Sequence, residues 1–235
     1  MTELLYQIDS YLREFTATVT AVDAETRAVY LDRTTFYPGG GGQPSDAGLL
    51  QAQGIPYRIK EVRKGNAHII DGDALPALGD SVIGVLDWER RYQLMRTHTA
   101  MHILCGVVWR DYGAAVTGGN MEPLAGRMDF EFERLPPDVI AEIEQKINVE
   151  IAAARDVRVK ILPRDEAFQI PDLIRTKINL LPEGITEVRT VEIVGLDLQA
   201  DGGTHVANTR EVGHMRITDY KSKGGINKRL YVAIE

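Results

Sequence analysis

Cysteine is nearly absent: Cys105 is the single one in 235 residues. That excludes an internal disulfide framework and fits a reducing compartment. Long apolar runs are missing too, since no stretch approaches the roughly 18–20 residues that cross a bilayer. The N-terminal segment holds Glu3, Asp9, Arg13 and Glu14 with no apolar core, so no signal peptide is expected. Nor is there an excess of positive charge. With 27 basic and 34 acidic side chains the formal charge is −7, which disfavours non-specific nucleic-acid binding, because that rests on phosphate neutralisation. The 10 prolines and 22 glycines exclude a fibre. What is present is ordinary for a globular protein: 44% apolar and 26% charged residues. The expectation is a soluble, cytoplasmic chain of one large domain or two small ones, with no membrane partner.

Residues 1–88 read as short strands broken by turns. Thr16–Val22, Ala28–Leu31, Tyr57–Val62 and Ser81–Leu86 are strand candidates, with turn signals at Gly39–Gly42, Asp71–Asp73 and Gly79–Asp80. Such spacing predicts a small β-barrel, with His68 in one of its turns. The character changes at Trp88. Tyr92, Met95, Thr99, His102 and Gly106 recur at three- and four-residue steps, which predicts a helix from Glu89 to about Tyr112, flanked by Trp88 and Trp109. A second helix is expected from Pro136 to Ala154 on the stripe Ile140, Ile143, Ile147, Ile151. Strands are expected at Val157–Leu162, Glu187–Val194, Glu211–Tyr220 and Lys228–Ile234. The fold class is therefore α+β: a barrel domain (1–88), then a domain (89–235) of antiparallel sheet with covering helices.

His98 and His102 stand four apart on one helical face, a spacing that lets two imidazoles meet one metal ion. Thr99 occupies the place of a zincin's catalytic glutamate, so that motif is excluded. Far along the chain, Asp201-Gly202-Gly203-Thr204-His205 offers a third imidazole from a loop whose glycines permit close approach or positive φ. Three neutral nitrogens would leave a position open for water, as a catalytic zinc requires. Cys105, three residues after His102, reads as a small core residue. The C-terminal stretch from Arg210 has six basic and three acidic side chains, a local basic face within an acidic whole.

At these residues the sequence resembles the editing domain of alanyl-tRNA synthetase and the freestanding AlaX-type editing proteins of medium length. His98-x-x-x-His102 and Gly202-Gly203-Thr204-His205 resemble the family's two zinc motifs. The run Thr35-Phe36-Tyr37-Pro38-Gly39-Gly40-Gly41-Gly42-Gln43-Pro44-Ser45-Asp46-Ala47-Gly48 resembles its glycine-rich signature, and Ser222 to Arg229 its tail motif. No alanine-activating domain precedes them, so a freestanding protein is expected. One departure stands out. Asp201 occupies the place where the family commonly has a cysteine ligand. Its carboxylate either binds the metal directly or orients a water or a histidine from one shell out.

The resemblance implies hydrolysis of the ester joining serine, and possibly glycine, to alanine tRNA, at one zinc per chain held by His98, His102, His205 and Asp201. The metal either activates water or binds the substrate's amino group. Thr117, Gln43 and Thr204 are the expected substrate-side residues. Gly41, Gly42, Lys221, Lys223, Lys228 and Arg229 are expected to meet mischarged tRNA. A hydroxyl-binding pocket suits the task, because hydrogen-bonding a hydroxyl discriminates by about 10⁴–10⁵-fold where an apolar pocket manages only about 10²; Thr117 is the candidate for it. The glycine run is no P-loop, since Pro44-Ser45 follows instead of Lys-Ser/Thr. Two other readings remain open: a tRNA-binding module with a structural metal, and a metallohydrolase of small esters or amides.

Overall fold

Alternating burial shapes the N-terminal part of the chain, in the computed structural model, which describes residues 2–174 and 184–235. After a short β1 (Glu3–Leu4), β2 (Glu14–Asp23) turns Phe15, Ala17 and Val19 inward. Next come β3 (Ala28–Leu31), β4 (Arg33–Thr34), β5 (Gly48–Ala52), β6 (Ile55–Arg63), β7 (Ala67–Ile70) and β8 (Ser81–Leu86). Strands β2-β3-β7-β6-β5-β8 close into a barrel, each neighbour antiparallel, while β1 pairs with β4 in parallel. Phe15, Leu31, Phe36, Leu50, Ile59 and Val82 fill the interior. Closure removes the exposed edges of an open sheet. The expected strands are all there. The unexpected barrel strands, β5 and β7, are short and lack a marked alternation, and the unexpected β1 and β4 have two residues each. His68 lies on β7 and not in a turn. Its ring is completely buried between the Val29 carbonyl and the Thr34 hydroxyl, each 2.9 Å away.

Helix α1 (Trp88–Tyr112) begins at Asp87, whose side chain accepts from the Arg90 N–H at 3.2 Å as an N-cap does. Every residue from Thr97 to Val108 is buried, so this central stretch is enclosed all round, while Glu89, Arg110 and Asp111 near the ends are exposed. Its polar residues therefore need partners. Trp88 opens the helix and Trp109 lies inside it, so neither flanks it as expected. The chain divides into two compact units at residues 93 and 94, inside α1; the sequence reading places the division at 88.

In the second unit β9 (Val116–Glu122), β10 (Ala125–Glu131), β14 (Met215–Ser222) and β15 (Asn227–Ile234) form an antiparallel sheet in the order β14-β15-β10-β9. Met101 of α1 lies against Gly126 of β10. Helix α2 (Pro137–Ala152) buries Ile143, Ile147 and Ile151, and its Asn148 exchanges hydrogen bonds with the Met215 backbone of β14. Strand β11 (Val157–Pro163), the short helix α3 (Arg164–Ala167), β12 (Glu187–Ile193) and β13 (Asp197–Ala200) follow, the strands forming a second antiparallel sheet, β11-β12-β13. The expected strand at Glu211 starts only at Met215. Asn208 and Glu211 form a capping box around a 3₁₀ turn at Thr209–Val212, which takes those residues out of the ladder. The unexpected β9 carries Gly118-Gly119, which reads as a turn in sequence but lies on an edge strand. Among the described residues no helix is long and apolar enough to cross a membrane.

Candidate metal centre

Four donors converge in the second unit. Ligand atoms of His98, His102, Asp201 and His205 all lie within 4.8 Å of one another. Helix α1 supplies the first two from adjacent turns, and the loop after β13 supplies the others. The His98 and His205 rings stack at 4.2 Å, and His102 sits edge-on to both at 5.1 and 4.7 Å. Asp201 Oδ1 is 3.5 Å from His98 Nε2, and its Oδ2 is 3.0 Å from His205 Nε2. Neighbouring ligands on a tetrahedral zinc stand about 3.3–3.6 Å apart, given bonds of about 2.0–2.2 Å. These contacts already have that scale. Three imidazole nitrogens and one carboxylate oxygen are a borderline-hard donor set that suits zinc.

Of the two possibilities its glycines offer, close approach or positive φ, the loop does not use the second. Neither Gly202 nor Gly203 enters the left-handed region. Instead the Gly203 N–H donates to Asp201 Oδ2 at 2.8 Å, an Asx-type turn that folds the chain back toward His205. Arg189 of β12 donates to the Asp201 carbonyl at 2.9 Å, which fixes the start of the loop.

The second ring nitrogens of His102 and His205 are held as well. His102 Nδ1 is 3.0 Å from Asp197 Oδ2, and His205 Nδ1 is 3.1 Å from Thr99 Oγ1, which also accepts the Val206 N–H. Both arrangements leave Nε2 directed at the cluster. Burial depresses His98 well below the ordinary histidine range; His205 and His102 add to this and Asp201 opposes it. Burial likewise pulls His205 down to about 4, against the opposing hydrogen bond to Asp201. Burial tends to raise the Asp201 carboxyl, but the surrounding imidazoles outweigh it, and Asp201 stays well below the usual carboxylate range. At neutral pH His98 and His205 are thus neutral and Asp201 is ionised, the protonation states that bind metal.

The remaining expected site residues are scattered. Thr204 is fully buried inside the loop. Thr117 is the extra residue of a bulge where β9 faces β10, and its hydroxyl donates to Asn227 Oδ1 at 3.2 Å. Gln43 is buried in the first unit, whereas Gly41 beside it is exposed and Gly42 half-buried. Lys221 and Lys223 are exposed on the β14–β15 hairpin. Lys228 is not. It is 7% exposed, and its ammonium donates to the Gly224 and Gly225 carbonyls, closing the hairpin turn. Arg229 makes a bidentate pair with Asp129 at 2.6 and 2.7 Å. Cys105 is buried, with Gln199 donating to its sulfur at 3.4 Å. Asp197 and Arg189 escape a sequence reading, because nothing in their spacing ties them to the histidines; Thr99 lies inside the motif, but its partner His205 is 106 residues away.

Two family models match the chain: tRNA synthetases class II (A) over residues 3–90, and the threonyl and alanyl tRNA synthetase second additional domain over residues 188–231. The first covers the barrel, and the second covers the Asp201–His205 loop and most of the β14–β15 hairpin. A synthetase-related barrel joined to such an additional domain defines the class. Among individual proteins, the alanyl-tRNA editing protein AlaX-M of Saccharolobus solfataricus is 39% identical over 240 residues, 100% of both chains. That of Methanosarcina barkeri is 40% identical, over 100% of this chain and 99% of its own. The alanine–tRNA ligase of Pyrobaculum neutrophilum is 37% identical over 92% of this chain, which corresponds to 25% of the ligase. The chain belongs to the AlaX-M family of alanyl-tRNA editing proteins.

Proposed function

We propose that this chain is a cytoplasmic editing hydrolase that removes serine, and secondarily glycine, from mischarged alanine tRNA at one zinc held in the cluster of His98, His102, Asp201 and His205. The observation that carries this is the convergence of three imidazoles and a carboxylate from two distant segments, in a chain that matches editing proteins along its whole length. When bound, zinc would polarise the ester carbonyl, make a water more acidic or hold the substrate's amino group, the three imidazoles leaving a position open while Asp201 orients a water or a histidine from one shell out. The chain does the rest. Burial keeps His98 and His205 neutral, while Asp197 and Thr99 engage the Nδ1 atoms of His102 and His205. An aminoacyl ester is already activated, so positioning and oxyanion stabilisation are the main requirements. Thr117 offers a hydroxyl for the serine side chain, with Asn227 fixing its direction. Thr204 serves on the substrate side of this centre, and Gln43 serves substrate binding from the first unit's glycine loop. Gly41, Gly42, Lys221 and Lys223 meet the tRNA, and Lys228 and Arg229 shape the hairpin that carries the lysines.

The test is deacylation of seryl- and alanyl-tRNA(Ala), with and without a chelator. Serine loss that requires metal, with alanine spared, is the expected result. Equal loss of both, or loss indifferent to chelation, would refute the reading. Thr117→Val is expected to slow serine removal while leaving bound metal unchanged.

A further inference from the structure

We infer that Asp197 is a positioning residue for metal capture, fixing the proton of His102 on Nδ1 so that the Nε2 lone pair points into the cluster. This rests on reading the cluster as a metal site.

The Asp197 side chain is completely buried, and its Oδ2 lies 3.0 Å from His102 Nδ1. Burying a carboxylate is costly unless it is well hydrogen-bonded, and a neutral residue would have tied β13 to the helix at less cost. The same oxygen accepts the Gln199 Nε2–H at 2.8 Å, so the carboxylate is oriented from two sides. Gly106 is the third part of the arrangement. It lies one turn beyond His102 in the buried stretch of the helix, where glycine is less favourable than alanine. A Cβ there would sit 2.9 Å from Leu196 Cγ and 3.2 Å from Asp197 Cβ. The missing side chain lets the turn between β12 and β13 close on α1 and bring Asp197 within reach of His102. A carboxylate on the far nitrogen holds a ligating imidazole in one tautomer and raises its basicity. Thr99 does the geometric half of this for His205, without the charge.

The test uses the full-length protein and two readouts. Nitrogen-15 NMR of the metal-free protein reports which His102 nitrogen carries the proton, and chelator competition at pH 7.5 reports zinc affinity. In the wild type the proton is expected on Nδ1. Asp197→Ala is expected to lose that preference and to weaken zinc binding by about 10–100-fold. Asp197→Asn keeps the shape and an accepting oxygen, so the tautomer should persist with a smaller loss. Gly106→Ala should shift both readouts toward those of Asp197→Ala. Wild-type zinc affinity in both Asp197 variants, or an Nε2 proton in the wild type, would overturn the inference while leaving the metal site intact. A wild-type protein that binds no zinc would overturn the metal reading itself, and this inference with it.

Discussion

His68 shows what a single enclosed side chain does to the barrel. Its Nδ1–H donates to the Val29 carbonyl, and its Nε2 accepts from the Thr34 hydroxyl. Burial pulls its pKa down to about 4, only partly offset by the Val29 bond. Above pH 6.5 the ring is neutral whether the chain is folded or not. Between pH 6.5 and about 4 the unfolded chain takes up a proton that the folded one refuses, so stability falls as pH falls. The loss attributable to this one group is at most about 3 kcal/mol. Urea titrations across this window should show the stability advantage of the wild type over His68→Gln shrinking on acidification. A constant difference would refute the assignment. At the same scale, Lys228 and Arg229 show the limit of reading charge from sequence. Both are basic and sit in a basic stretch, yet one closes a turn and the other neutralises Asp129.

The glycine-rich loop is held as an element. Gly39, Gly40, Gly41 and Gly42 all adopt positive φ, at 82°, 142°, 56° and 87°, which explains four consecutive glycines directly. Gly40 and Gln43 exchange backbone hydrogen bonds at 2.9 and 3.0 Å, so the tip is a closed turn. Its base is pinned by Asp46, which accepts the Tyr37 N–H at 2.6 Å and pairs with Arg91. Arg91 is fully buried and also donates to the carbonyls of Ser10 and Thr35. Removing one partner of such a pair leaves an uncompensated buried charge, so Arg91→Ala is expected to cost about 3–5 kcal/mol. Arg91→Lys should recover only part, since an ammonium cannot serve the same fork of acceptors. Denaturant midpoints with an unchanged slope would measure this, and a loss under 1 kcal/mol would show the pair to be dispensable.

For the molecule as a whole, a charge of −7 coexists with the exposed Lys221 and Lys223 on one hairpin. If those lysines meet tRNA phosphates, kcat/KM on seryl-tRNA should fall with salt, while hydrolysis of a seryl-adenosine ester should not. Replacing each lysine by alanine should shallow the salt dependence by about one unit of slope; an unchanged slope would move the contact elsewhere. The amino-acid order alone laid out the barrel's main strands, both long helices and the pairing of His98 with His102, because these follow from local periodicity. It also set out the four glycines whose backbone demands are local. That Asp201 and His205 meet that helix, that Asp197 backs His102 across 95 residues, and that Thr99 backs His205 across 106 came only from the packing of distant segments. Packing also encloses the stretch of α1 from Thr97 to Val108 on every side. Periodicity records which face a residue occupies, whereas contacts between segments so far apart arise only when the second unit packs.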